Sequence, residues 1–145
     1  MADNTTTLRA TTGLDGTARL RVQTRRNYCL LVAHAEFPAA IIERVDPADA
    51  IGVVLQRTDN VGSLIIDSTG YIPGLSGRLN PILDTSKRTY LYADNIAING
   101  GASQPAVFRV NEPFELEDAN GVVIFVTVKL IAGRTSLLQY LRPNL

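Results

Sequence analysis

The feature that most constrains this chain is the rhythm of its middle. Between residues 17 and 130, short apolar or alternating runs are cut by turn signals every 8–12 residues. Helices need longer uninterrupted stretches with a period near 3.6, so this rhythm predicts an antiparallel all-β body, either a sandwich or a barrel of jelly-roll type. In Thr17–Gln23, Ala18, Leu20 and Val22 fall on one face and Arg19, Arg21 and Gln23 on the other, the period of a half-buried strand. Tyr28–Ala33 and Phe37–Glu43 follow, and Asp46-Pro47-Ala48-Asp49 reads as a turn. Ile51–Gln56 and Val61–Asp67 are expected to form a hairpin around Thr58-Asp59-Asn60. Residues 68–81, rich in Gly, Pro and Ser, read as a long loop of the kind that often carries function.

Arg88–Asp94 alternates again, with Tyr90 and Tyr92 on one face and Leu91 and Ala93 on the other. Ile96–Ile98 leads into Asn99-Gly100-Gly101, a tight-turn signal. Ala106–Val110 and Phe114–Glu117 are short strands. Val122–Leu130 is apolar on both faces up to Thr127 and Lys129, which predicts a central strand. The helical pattern is confined to Thr135–Arg142, where Leu137, Leu138 and Leu141 would share a side and Pro143 would stop the helix. The expected layout is an extended N-terminal arm over residues 1–16, the β body over 17–130 and a short C-terminal tail over 131–145, possessing at most one short helix.

The totals fit one globular domain of 145 residues, 46% hydrophobic and 19% charged. Net charge is zero, which argues against sequence-independent binding of nucleic acid. Arg dominates the basic residues, since Lys87 and Lys129 are the only lysines. Cys29 stands alone and, beside Leu30, Leu31 and Val32, reads as a buried small hydrophobe. No charged region leads into an apolar signal segment, and no run approaches the roughly 18 apolar residues that span a bilayer. A soluble product made in a cytoplasm is expected.

Catalytic inventory is thin. His34 is the only histidine, five residues from Cys29, and an odd separation along a strand puts the two on opposite faces. One His and one Cys make no zinc site of the usual composition. Asp46 and Asp49, and the group Glu112, Glu115, Glu117 and Asp118, lack the spacing of a calcium loop and read as turn and solvated-face carboxylates. Neither a catalytic residue nor a metal or other cofactor is implied. Two surfaces point instead to partners. One is the polar arm with its basic neighbours: Thr5, Thr6, Thr7, Leu8, Arg9, Arg19, Arg21, Arg25 and Arg26. The other is the apolar tail with Leu137, Leu138, Tyr140, Leu141 and Leu145. Extended at about 3.3 Å per residue, the first 16 residues would reach roughly 50 Å, enough to cross onto a neighbour. Tyr71, Tyr90 and Tyr92 could form a ligand platform.

In this layout of arm (MADNTTTLRATTG), strand-rich body and short tail, the chain resembles the small all-β structural proteins of tailed phages, particularly capsid decoration or cement proteins. The resemblance implies a non-enzymatic virion protein, made in the host cytoplasm, that bridges the major capsid protein or other virion subunits as a homo-oligomer, with a trimer favoured. A tail, neck or fibre component is a related reading. The alternatives are a carbohydrate-binding β-sandwich using Tyr71, Tyr90 or Tyr92, and a jelly-roll hydrolase using His34 or the carboxylates of 112–118.

Overall fold

The computed structural model describes residues 8–22, 27–48 and 50–143. Among them there are ten β-strands and no helix: β1 Tyr28–His34, β2 Phe37–Val45, β3 Val61–Asp67, β4 Arg78–Leu83, β5 Thr89–Asp94, β6 Ile96–Ile98, β7 Ala106–Val107, β8 Phe114–Asp118, β9 Val123–Ala132 and β10 Thr135–Leu141. The chain divides into two compact units. Residues 1–30 and 41–53 form one, and residues 31–40 and 54–145 form the other.

In the first unit, residues 8–22 and 50–53 carry no assigned strand. Alternation in Thr17–Gln23 therefore did not become a strand within its described part. A period of two marks a strand only where a partner backbone takes its hydrogen bonds, and those of Thr17 are local: its amide donates to Asp15 Oδ1 at 3.1 Å, its hydroxyl donates to Asp15 Oδ2 at 2.8 Å and its carbonyl accepts from the Gly13 amide at 3.0 Å. Gln23 itself lies outside the described residues. Cys29, expected inside, is exposed, on a strand whose other apolar residues are only half-buried.

The second unit is an antiparallel sandwich. A five-stranded sheet runs in the order β3-β10-β9-β8-β6 and a three-stranded sheet in the order β4-β5-β7. A single cluster fills the space between them, with Leu79, Leu91 and Ala106 from the small sheet facing Ile66, Leu116, Ile124, Val126, Val128, Leu138 and Tyr140 from the large one. Burying each large aliphatic side chain stabilises the fold by about 1.5–3 kcal/mol. Ile124, Val126 and Val128 alternate inward along β9, opposite Leu116 and Phe114 of β8. β9 sits in the middle of its sheet, as its two-sided apolar pattern predicts. Both sheets keep free edges, so the body is open rather than closed into a barrel.

The largest correction lies at the C-terminal end. Residues 135–141 form strand β10 between β3 and β9, not a helix, with Leu137, Leu138 and Tyr140 buried. The hairpin expected around Thr58-Asp59-Asn60 is also different: β3 pairs with β10, and residues 51–58 carry no strand. Within the stretch 68–81, Ile72 and Leu75 are core residues and Gly70 bridges Leu79 at 3.0 and 2.9 Å, so this loop closes one side of the sandwich. Pro81 lies inside β4, which is tolerated because β4 is the edge of its sheet.

Candidate functional site

The small sheet presents its outer face as a groove. β4 and β5 pair with Ile82 opposite Tyr90 and Asn80 opposite Tyr92, while β5 and β7 pair with Tyr90 opposite Val107. Directly opposed residues share a face, so Ile82, Tyr90, Tyr92 and Val107 point outward, while Leu91 and Ala106 point to the core. The Tyr90 and Tyr92 rings meet edge to face, with centroids 6.4 Å apart at 86°. Tyr92 is 42% exposed and Val107 77% exposed.

Cations reach this groove from two directions. The β4–β5 turn is held by Asp84, whose Oδ1 accepts from the Ser86 and Arg88 amides at 2.9 Å each and whose Oδ2 accepts from Arg88 Nε at 2.8 Å. The Arg88 amide above all holds the Asp84 carboxyl below the usual carboxylate range. Lys87 takes the left-handed conformation that tightens this turn, at φ 63°. From the other side comes Arg109. Its position is set by Phe108, which is buried in the core, whose amide donates to the Thr89 carbonyl at 3.3 Å and whose carbonyl accepts from the Thr89 hydroxyl. Lys87, Arg88, Arg109, Tyr90, Tyr92 and Val107 thus line one open groove of about 520 Å³.

The other sequence-selected residues are dispersed. Leu8, Arg9, Arg19 and Arg21 are exposed. Thr5, Thr6, Thr7, Arg25, Arg26, Asp49 and Leu145 lie outside the described residues. Leu137, Leu138 and Tyr140 are interior, so they offer no apolar docking surface, whereas Leu141 at the strand end is exposed. Tyr71, 61% exposed, does not line the groove. It belongs with Arg78, which pairs with Asp94 at 2.7 Å at the opposite end of the β4–β5 ladder.

His34 has a structural environment. Its Nδ1 accepts from the Glu36 amide at 3.0 Å and its ring meets Phe37 edge-on at 5.0 Å. Asp118 is buried, and its two oxygens accept from the amides of Ser76, Asn120 and Val122 at 2.9–3.0 Å. That arrangement stabilises a turn, and the Ser76 amide leads in lowering the carboxyl's pKa. Among the described residues no three His, Cys, Asp or Glu side chains gather as a metal site would require. Sequence reasoning named Tyr90 and Tyr92 as a candidate platform; Lys87, Arg88 and Arg109, which it did not name, lie beside them through the pairing of β5 with β4 and β7.

No protein-family model matches the chain, and no solved structure matches it. A curated relative does. Over 142 residues, 98% of its length, the chain is 39% identical to the 3' cyclic ADP-D-ribose synthase AaTIR of Aquimarina amphilecti. The match takes in 43% of that protein, so the chain spans about two fifths of the length of the curated relative it matches.

This similarity overturns the phage reading. The relative is named as a synthase, so the resemblance to capsid decoration proteins, the non-enzymatic role, the virion location and the capsid partners are all corrected. The carbohydrate-binding alternative goes with them. The error has a physical origin: an arm, a strand-rich body and a tail describe a sandwich's layout, and sandwiches host many unrelated functions.

Proposed function

We propose that this chain is the all-β region of a protein that makes 3' cyclic ADP-D-ribose. The observation that carries the reading is 39% identity along 98% of the chain to a synthase of that product. Because the match takes in 43% of the relative, the activity is proposed for the whole protein that bears this chain.

The product's chemistry defines the substrate class. Cyclising ADP-ribose requires a donor with a leaving group on the anomeric carbon, and a nicotinamide dinucleotide is such a donor. The bond between the nicotinamide nitrogen and the anomeric carbon breaks, and nicotinamide departs with the electron pair. A ribose hydroxyl oxygen of the same molecule bonds to that carbon and releases its proton. The protein must therefore hold a doubly charged pyrophosphate while the two ribose rings fold together, a task of binding and orientation.

The test is incubation of the full-length protein with NAD, followed by mass spectrometry. The expected result is an ion of the mass of cyclic ADP-ribose with one nicotinamide released per dinucleotide consumed. Unconsumed dinucleotide, or linear ADP-ribose as the whole product, overturns the proposal.

A further inference from the structure

We infer that the groove on the outer face of the small sheet is a binding site for a nucleoside diphosphate of the ADP-ribose class. The choice of ADP-ribose among nucleotides rests on the function proposed above, while the call for a planar, strongly anionic ligand rests on the groove's own chemistry.

Three observations converge. First, Lys87, Arg88 and Arg109 line one groove without an Asp or Glu among the lining side chains. The ion pairs found among the described residues leave Lys87 and Arg109 uncommitted, while Asp84 beside the groove pairs with Arg88 and accepts from the Tyr90 hydroxyl at 3.4 Å. A net positive groove on a chain of zero net charge is a local device rather than a consequence of composition. The Lys87 ammonium and the Arg109 guanidinium match the double charge and the multiple acceptor oxygens of a pyrophosphate.

Second, the floor is aromatic and aliphatic. Tyr90, Tyr92 and Val107 share the outward face in register, and the edge-to-face ring pair leaves Tyr92 exposed beside the cations. Stacking of a base on such a ring strengthens binding without demanding a particular base. Third, the parts are held in place before any ligand arrives. Asp84 fixes the turn that carries Lys87 and Arg88, and the buried Phe108 with its two links to Thr89 fixes the backbone before Arg109. The groove is open to solvent, with a volume of about 520 Å³.

The experiment is isothermal titration of this chain with ADP-ribose, with ribose 5-phosphate and adenosine as fragments. Saturable binding of ADP-ribose, at least about tenfold tighter than either fragment, is expected. Replacing Lys87 and Arg109 together by Ala weakens it by at least about tenfold, from the loss of charge-assisted hydrogen bonds. Tyr92→Ala weakens it by about tenfold and Tyr92→Phe leaves it nearly unchanged. Tyr71→Ala, at the far end of the ladder, changes nothing. All four replaced side chains are at or near the surface, and melting curves within a few degrees of the parent's verify folding.

Absence of saturable binding overturns the inference, as does binding that ignores the Lys87/Arg109 and Tyr92 changes or responds equally to Tyr71→Ala. The two readings fail separately. A full-length protein that makes the cyclic product, paired with a chain that binds no ADP-ribose, removes the site and leaves the function. Groove-dependent binding without any cyclic product removes the function and leaves the site.

Discussion

Single residues here act mostly by fitting backbone to backbone. Gly62 lies opposite Tyr140 in the β3–β10 ladder, where the Tyr140 hydroxyl donates to the Ala35 carbonyl at 3.2 Å. A Cβ at Gly62 would meet that carbonyl and sit 2.6 Å from the tyrosine ring carbon bearing the hydroxyl. Gly62→Ala is therefore expected to cost about 1–3 kcal/mol, read as a lower urea midpoint with unchanged slope. An unchanged midpoint would show that the ring can move aside. Asp118 gives a pH signature. Its folded pKa is lowered, chiefly by the Ser76 amide, so the unfolded chain binds the proton more readily. The stability it contributes is present above the unfolded value of about 3.9 and is lost as pH falls through the lower folded value. Asp84, lowered in the same sense, adds to this loss. Urea midpoints should thus drop below about pH 4, and Asp118→Asn should flatten the drop while lowering stability at neutral pH. An undiminished drop in that variant would remove Asp118 from the explanation.

At the scale of elements, several strands were legible from alternation or from apolar runs between turns: Phe37–Val45, Thr89–Asp94, Ile96–Ile98, Phe114–Asp118 and Val123–Ala132 lie close to their sequence readings. β10 was not legible, for a local reason. β10 runs in unbroken register with β3, and the shift against β9 falls at Lys129 of β9, so Leu137 and Leu138 face opposite sides of the sheet and both are buried, which hides the period of two. The same spacing of Leu137, Leu138 and Leu141 satisfies a short helix, and periodicity alone does not separate the two. Pairing was harder still to read. β3 finds β10 more than sixty residues away, which no turn signal announces. Tyr90 and Tyr92 could be read because they alternate, whereas their joining with Arg109 needed β7 to pair with β5. The strand assignment predicts that Leu138→Ala costs about 2–5 kcal/mol while Leu141→Ala changes stability by less than about 0.5 kcal/mol. Truncation before Thr135 should abolish cooperative unfolding, since it removes the strand between β3 and β9. Retention of a native-like β spectrum and a sharp transition in that truncation would contradict the assignment.

For the whole molecule, the sandwich serves as a scaffold whose two sheets carry different outer faces. The large sheet has its central strands filled with core residues, and the small sheet turns a cationic, aromatic groove outward. Fold class followed from the sequence because turn spacing and alternation are physical requirements of packed sheets. Function did not follow, because layout is shared by proteins with nothing else in common. The central claim is that the protein bearing this chain produces 3' cyclic ADP-D-ribose. The most direct measurement is chromatography of the product formed from NAD by the full-length protein, run beside authentic 3' cyclic ADP-D-ribose and linear ADP-ribose. Co-elution with the 3' cyclic standard is the predicted result. A product that elutes with linear ADP-ribose, or no product at all, contradicts the account.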